Sequence, residues 1–510
     1  MAPPTRPRVL VVAYDFPPHA AIGTMRTLRV VRQLSARGWD VAVLTGDERT
    51  FLPGTPVDQA LLARVPADVR VVRAASWRGW DRLQRAVRGR ANGAGSRPGT
   101  EPASRGGSKP EAAHGAGSTT RPAASGSQHP QGRETGTASA SWRLSPLVRP
   151  VVAAKDVVDA ALSIPDRELA WLLPAIRLGS GSSFHGWTPD VIYSSAPPWT
   201  GQLVAAALAF GHECPWVADF RDPWARAPWR DDKYGFWLKA VAVLERLVVK
   251  RADRIVFVAQ GNHDDFAAHY GSELARKFHV VPNGCDPTEV DIPDRPAVPT
   301  DGPFVLLHAG SLYAGRTPVP LFEAIAAGIA RGLIDPSRFR LRFLGAQGLQ
   351  SVDLPAALRA LGIEQMVEFL PRVPRSESLR AMMSASALFL LQPGHTISVP
   401  GKVYEYLAIG RPILSIAEEG ETAEIVRESG VGVSATPEDR EGILRGLLQV
   451  MQMAEHPPAP PAQDLYDGNL RAGRIVDILE GMLQRAQHAA SAGLEADGDV
   501  GAKAGGGISS

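Results

Sequence analysis

What most limits the folds open to this chain is an alternation, between residues 304 and 453, of short apolar runs with segments of helical spacing. Phe304 to Ala309, Leu341 to Leu344, Val367 to Leu370, Leu388 to Leu391 and Ile413 to Ile416 are short and predominantly apolar, which predicts strands of a sheet covered on both faces. Between them Pro320 to Ala330, Leu354 to Leu361, Ser376 to Ser384 and Gly401 to Ile409 predict helices, and Glu441 to Met453 predicts one more. Strands and helices in turn give a parallel sheet covered on both sides. The first half repeats the theme less regularly. Val9 to Ala13, then Met25, Leu28, Val31 and Leu34 at helical spacing, then Gly38 and Val41 to Leu44, predict a βαβ unit. Val69 to Arg73, Val191 to Ser194, Trp216 to Phe220 and Ile255 to Ala259 are further strand candidates. The expected class is α/β, two Rossmann-like domains whose parallel sheets face a central cleft with their carboxyl ends.

Composition marks the boundaries. Pro287, Pro293, Pro296, Pro299 and Pro303 alternate with acidic residues, so an extended linker is expected over 288–303. It separates an N-terminal domain, 1–287, from a C-terminal domain, 304–465, followed by a helical segment, 466–490. From about Ala91 to Ser141, Gly, Ser, Pro, Ala and Thr dominate, and such a segment cannot offset its ordering entropy by burial. A disordered insertion is expected there, and a loose tail over 491–510.

The 55 Lys and Arg against 53 Asp and Glu leave a net charge of +2, which provides no general attraction for nucleic acid. Cys214 and Cys285 are the only cysteines, which excludes a disulfide framework and a multi-cysteine zinc site. No apolar run approaches the roughly 20 residues that span a bilayer, so a cytoplasmic protein is expected. Arg70 to Arg90, with Trp77, Trp80 and Leu83 among its arginines, is either a solvated basic helix or a peripheral contact with the inner face of the membrane. His19, His263 and His395 show no metal-ligand spacing, and no metal is expected.

The most informative stretch is Pro400-Gly401-Lys402-Val403-Tyr404-Glu405-Tyr406-Leu407-Ala408-Ile409-Gly410-Arg411-Pro412. A helix opening at Gly401 after Pro400 presents free amides and the positive end of its dipole, an anion site. Lys402 and Glu405 share one face of it. A phosphate held by the amides and Lys402 leaves Glu405 one turn on, placed to accept ribose hydroxyls. The alternative is a solvated ion pair on a surface helix, worth about 0.3–0.5 kcal/mol.

This stretch resembles the carboxyl-terminal motif of family 4 retaining glycosyltransferases, which have the GT-B fold and use nucleotide-sugar donors. Further stretches match in order: Phe16-Pro17-Pro18 with Gly23 and Arg26; Ser194-Ser195-Ala196-Pro197-Pro198; Asp219-Phe220-Arg221-Asp222-Pro223-Trp224; Ala252-Asp253-Arg254; Val281-Pro282-Asn283-Gly284-Cys285-Asp286; and His308-Ala309-Gly310-Ser311-Leu312-Tyr313 with Arg316. The resemblance implies that Glu405 binds the donor ribose and that Lys402 and Arg316 bind the diphosphate, a catalytic role because the leaving group gains charge. No cofactor is implied beyond the nucleoside diphosphate sugar as donor substrate. The acceptor class is a glycan, a lipid-linked compound or a small molecule, and surface polysaccharide or glycoconjugate synthesis is the expected setting.

The chain departs from the family pattern at two places. Ile397 stands where many members carry a sugar-contacting Glu, which moves that task to Ser398 or loop amides; Ser311 stands where many carry a base. In the first domain Asp219, Arg221 and Asp222 are expected to emerge at a strand's carboxyl end, with Asp219 a candidate for substrate binding, Arg221 and Asp222 candidates for catalytic contact with the sugar or acceptor, and a loop-holding ion pair of Arg and Asp as the alternative. Gly23 permits close approach of the first loop to a ligand. A dehydrogenase needs Gly-x-Gly-x-x-Gly after the first strand, and only Gly23 stands there. A non-catalytic nucleotide-sugar-binding protein on the same fold is the stronger rival.

Overall fold

The computed structural model describes residues 6–51, 55–77, 164–181, 184, 186–227, 235–290, 302–312, 316–345 and 352–502. The insertion expected at 91–141, residues 78–90 of the basic stretch and most of the 288–303 linker lie outside these residues.

Seven strands build the first sheet: β1 (Arg8–Val12), β2 (Asp40–Gly46), β3 (Arg70–Ala74), β4 (Val191–Ala196), β5 (Trp216–Phe220), β6 (Arg254–Phe257) and β7 (Phe278–Val280). All pairs are parallel, in the order β3-β2-β1-β4-β5-β6-β7, with Val9 level with Val41 on one side and Val191 on the other. Six more build the second: β8 (Phe304–Ala309), β9 (Phe339–Leu344), β10 (Val367–Leu370), β11 (Ala387–Gln392), β12 (Ile413–Ala417) and β13 (Gly432–Ala435), in the order β10-β9-β8-β11-β12-β13. The central strands are buried throughout, which is why they read as mostly apolar runs rather than alternating ones, the few polar residues among them being buried as well. Chain order reverses between β1 and β4 and between β8 and β11, and at such switch points the adjoining loops part to leave a crevice.

Each sheet is covered on both faces. In the first domain the Leu172–Ser180, Thr200–His212, Gly235–Arg251 and Gln260–Tyr270 helices cover one face and Ile22–Ala36 the other. In the second, Val319–Ala330, Leu354–Leu361 and Arg440–Glu455 lie opposite Arg375–Ser384, Gly401–Ile409 and Glu421–Glu428. Two edge strands, β7 and β13, have no counterpart in the sequence reading; at three and four residues they are too short to show a period.

The chain crosses between the domains twice, and the crossings pair with each other. Cys285 N–H donates to the Tyr466 carbonyl at 2.7 Å and Gly468 N–H to the Cys285 carbonyl at 2.8 Å. A Cβ on Gly284 would lie 2.5 Å from Gly468 Cα, so only glycine lets the two backbones pass this closely. The returning Gly468–Ala502 helix then lies along Ile22–Ala36, burying Ile475, Val476 and Leu479, and Arg37 meets Asp477 at 2.6 Å and Glu480 at 3.1 Å. Its backbone stays helical to Ala502, through residues 491–502 that composition assigns to a tail. A helix already nucleated by docking needs no second nucleus to extend. Among the described residues no helix is long and apolar enough to cross a membrane.

Candidate functional site

The Gly401–Ile409 helix starts without a side-chain cap at Pro400, because proline has nothing to donate or accept there, and it ends at Gly410 in the left-handed conformation. Val403, Tyr404, Tyr406, Leu407 and Ile409 face the core. The Tyr406 hydroxyl accepts from Ala309 N–H at 3.0 Å and donates to the Phe389 carbonyl at 3.4 Å, which fixes the helix to the switch point between β8 and β11. The opposite face carries Lys402 and Glu405, with Lys402 Nζ 2.6 Å from Glu405 Oε2 and Arg375 donating to Oε1. Burial works to raise the Glu405 carboxyl, but the two cations and their hydrogen bonds more than offset it, and its pKa is held below the usual range. The Lys402–Glu405 ion pair therefore forms, but with the Glu405 side chain only 13% exposed it is not the solvated surface pair of the alternative. A carboxylate has about four acceptor sites, so two remain for a ligand.

The charges of Arg316 and Lys402 both act on His308, a residue that carried no signal of its own in the sequence beyond its place in the motif His308 to Tyr313. His308, at the carboxyl end of β8, is buried, and its Nδ1–H donates to the Phe389 carbonyl at 3.0 Å. Nε2 is then the acceptor of a neutral ring; it is buried beside Gly310 and has no hydrogen-bond partner among the described residues. Burial brings the ring down to about 4; the Phe389 bond opposes this, and the charges of Arg316 and Lys402 push the same way as burial. The three side chains thus share one electrostatic neighbourhood at the second switch point.

The loop ahead of the helix is an interdomain contact. A Cβ on Gly261 of the first domain would lie 3.0 Å from Ile397 Cα and 3.2 Å from the Thr396 carbonyl oxygen. Ser398 is half-buried, its carbonyl accepting from Thr422 Oγ1 at 3.5 Å. Beside it the Glu421 carboxylate crosses to the uncapped Gln260–Tyr270 helix and accepts Gln260 N–H at 2.7 Å and Gly261 N–H at 3.4 Å. Burial pushes the Glu421 carboxyl up, against the lowering by those two amides.

In the first domain the structure corrects one expectation. Asp219, expected at the substrate, is fully buried: Arg26 clasps it through Nε at 2.7 Å and Nη2 at 2.9 Å, Tyr193 donates its hydroxyl at 2.7 Å and Ser195 donates at 3.3 Å. β5 points Asp219 into the Ile22–Ala36 side of the sheet, where it holds the scaffold. Arg221, two residues on, leaves the sheet at its carboxyl end and donates to the Pro197 carbonyl and to Asp15 Oδ2 at 3.3 Å. It lies against Gly23 so closely that a Cβ there would fall 1.2 Å from Arg221 Nη1. Gly23 makes room for this guanidinium. Burial pushes the Asp222 carboxyl up, opposed by Arg221, and Asp222 has no hydrogen-bond partner among the described residues. His19 Nδ1 stands 2.9 Å from Asp15 Oδ1, extending the Arg221 network; the spacing of four was the only signal of that pair in the sequence. Among the described residues no three His, Cys, Asp or Glu side chains gather to hold a metal ion.

The family model described as Glycosyltransferase Family 4 matches residues 145–289, and that described as Glycosyl transferases group 1 matches residues 303–453. No curated protein sequence gives a match. Among solved structures, an α,α-trehalose 6-phosphate synthase from Burkholderia multivorans is 13% identical, with 96% of this chain and 99% of that chain covered and a TM-score of 0.50. A sucrose-phosphate synthase from Thermosynechococcus elongatus is 14% identical over 95% of this chain and 100% of that chain, TM-score 0.49. Anabaena HepE in complex with UDP-glucose is 14% identical over 93% and 99%, TM-score 0.49. At such identities a structural likeness speaks to the fold alone, and the family follows from the two sequence models, which together span more than half of the 510 residues. The chain belongs to the glycosyltransferases of family 4 and group 1 type, two parallel-sheet α/β domains in the GT-B arrangement.

Proposed function

We propose that the chain transfers a glycosyl group from a nucleoside diphosphate sugar to a hydroxyl of a glycan, lipid-linked or small-molecule acceptor, with retention and without a metal, in surface polysaccharide or glycoconjugate synthesis. The setting is the cytoplasm, at the inner face of the membrane where the acceptor is lipid-linked. The observation that carries this reading is the joint action of Arg316 and Lys402 on His308 at the switch point of the second sheet, beside an uncapped helix amino end. When the bond between the anomeric carbon and the diphosphate breaks, the leaving group gains negative charge, and cations already in place stabilise it more than they stabilise the bound donor. The acceptor oxygen bonds to the same carbon, on the face the diphosphate leaves, and its proton departs with the diphosphate. Gly401 and its neighbours offer amides to the phosphates, Glu405 its free acceptor sites to the ribose, and Ser398 with its loop reads the sugar in place of the usual Glu. Across the cleft Arg221, seated on Gly23, and Asp222 contact sugar or acceptor.

The test is calorimetry of the full chain with nucleoside diphosphates of each base, with and without a chelator, followed by release of nucleoside diphosphate from the sugar donor. Lys402→Ala is expected to lower turnover by about 10²–10³. A non-catalytic binding protein would bind donor and release nothing, and that result overturns the reading.

A further inference from the structure

The Gly235–Arg251 helix has an outward face of unusual composition. Val241, Val248 and Val249 point into the core, and so does Glu245, which accepts Ala225 N–H at 2.7 Å and the Tyr270 hydroxyl at 2.8 Å. The helix's single carboxylate is therefore turned inward. Outward, three or four residues apart, stand Phe236, Lys239, Val243, Arg246, Leu247 and Lys250, with Arg251 completing the last turn. Val243 is 67% exposed, Phe236 44% and Leu247 43%, and the adjoining Thr200–His212 helix adds Phe210 at 77%. The four cations have no ion-pair partner among the described residues. Three acids of neighbouring segments are engaged elsewhere: Asp265 with Arg226, Asp264 with His263 and Gln260, and Asp253 with Trp216 N–H. In a chain of net charge +2, this one face carries four positive charges without an ion-pair partner among the described residues, interleaved with apolar side chains.

We infer that this face docks on an anionic lipid bilayer. Long cationic side chains reach phosphate while their stems and the apolar residues between them enter the boundary with the acyl chains, which is the arrangement of an interfacial helix. Charge complementarity selects anionic headgroups. Single apolar side chains set apart by cations suit a yielding surface better than a rigid partner, because they form no packed interface core. The helix follows the carboxyl end of β5, so its Phe236 end lies on the cleft side of the sheet, and a bilayer along the ridge borders the entrance used by an acceptor. Docking is independent of the proposed transfer, and the experiment below uses neither donor nor acceptor, so its failure leaves the transferase reading standing.

Sedimentation of the full chain with vesicles of phosphatidylcholine alone, or with about 30 mol % phosphatidylglycerol, tests the inference at low and high salt. Binding is expected only to the anionic vesicles and is expected to weaken with salt. Each cation lost should cost about fivefold, so Lys239→Gln, Arg246→Gln and Lys250→Gln together lower partitioning on the order of 100-fold. Val243→Ser with Leu247→Ser should weaken it by a further factor of about ten. Melting temperatures should stay unchanged, since these side chains face away from the core. Equal binding to neutral vesicles, or undiminished binding by both folded variants, overturns the inference. So does absence of binding to any vesicle, which would assign the face to an acidic protein.

Discussion

The Asp219 carboxylate takes both arms of the Arg26 guanidinium, at 2.7 and 2.9 Å, while Arg221, two residues later on the same strand exit, reaches the cleft loop at Pro197. One short segment thus supplies a scaffold ion pair and a site cation, and the two roles should separate in experiments.

Asp219→Ala leaves Arg26 buried without its partner. A loss of about 3–5 kcal/mol is expected, as is usual when one member of a buried pair is removed. Urea unfolding measures it, and donor affinity of the remaining folded protein should be unchanged. A weakened affinity with unaltered stability would return Asp219 to the substrate.

Gly23→Ala acts on the neighbouring function. Its Cβ would overlap Arg221 Nη1, so the guanidinium must leave the Pro197 carbonyl and Asp15. Turnover is expected to fall by up to about 10² while the melting point moves little, since a misplacement of about an ångström has that scale of effect. Steady-state kinetics and a thermal melt on the same preparation decide it.

Glu405 is held charged by Lys402 and Arg375 and retains acceptor sites for a ligand. If it receives the ribose 2′-hydroxyl, a 2′-deoxy nucleotide should bind about 10- to 150-fold more weakly, the range for a hydrogen bond to a charged group. Glu405→Gln should shrink that preference. Equal affinities for ribo, 2′-deoxy and 3′-deoxy forms, measured by calorimetry, would leave the carboxylate with only its intradomain ion pairs.

His308 gives a pH signature. Its folded value of about 4 lies below the 6.5 of an unfolded histidine, so as pH falls through that window the unfolded state takes up the proton first and the fold loses stability. The loss is about 3 kcal/mol, complete near pH 4, and absent above pH 6.5. His308→Gln should remove this share, which appears as a shallower fall of unfolding free energy between pH 6.5 and 4 than in the unmodified chain. Parallel curves would mean that His308 does not titrate as its burial demands.

Much of the architecture was legible without coordinates. Trp216–Phe220, Phe304–Ala309 and Val367–Leu370 are strands, and Leu354–Leu361 and Gly401–Ile409 helices, to the residue read from the sequence, because strands of a covered parallel sheet are mostly apolar and the helices end at glycine or follow proline. Spacing alone also placed Lys402 and Glu405 on one helix face, since i and i+3 are neighbours in any helix. What only the tertiary structure decided depends on residues far apart in the chain. The side of β5 on which Asp219 falls, and the arginine 193 residues away that neutralises it, follow from sheet packing. Arg375 beside Glu405, His308 under Arg316 and Lys402, and Ile397 against Gly261 arise where loops from separate strands converge. Sequence by itself determines periodicity, and periodicity determines elements; the partners of a charge are set by which elements meet, and that is fixed only when the sheets are assembled.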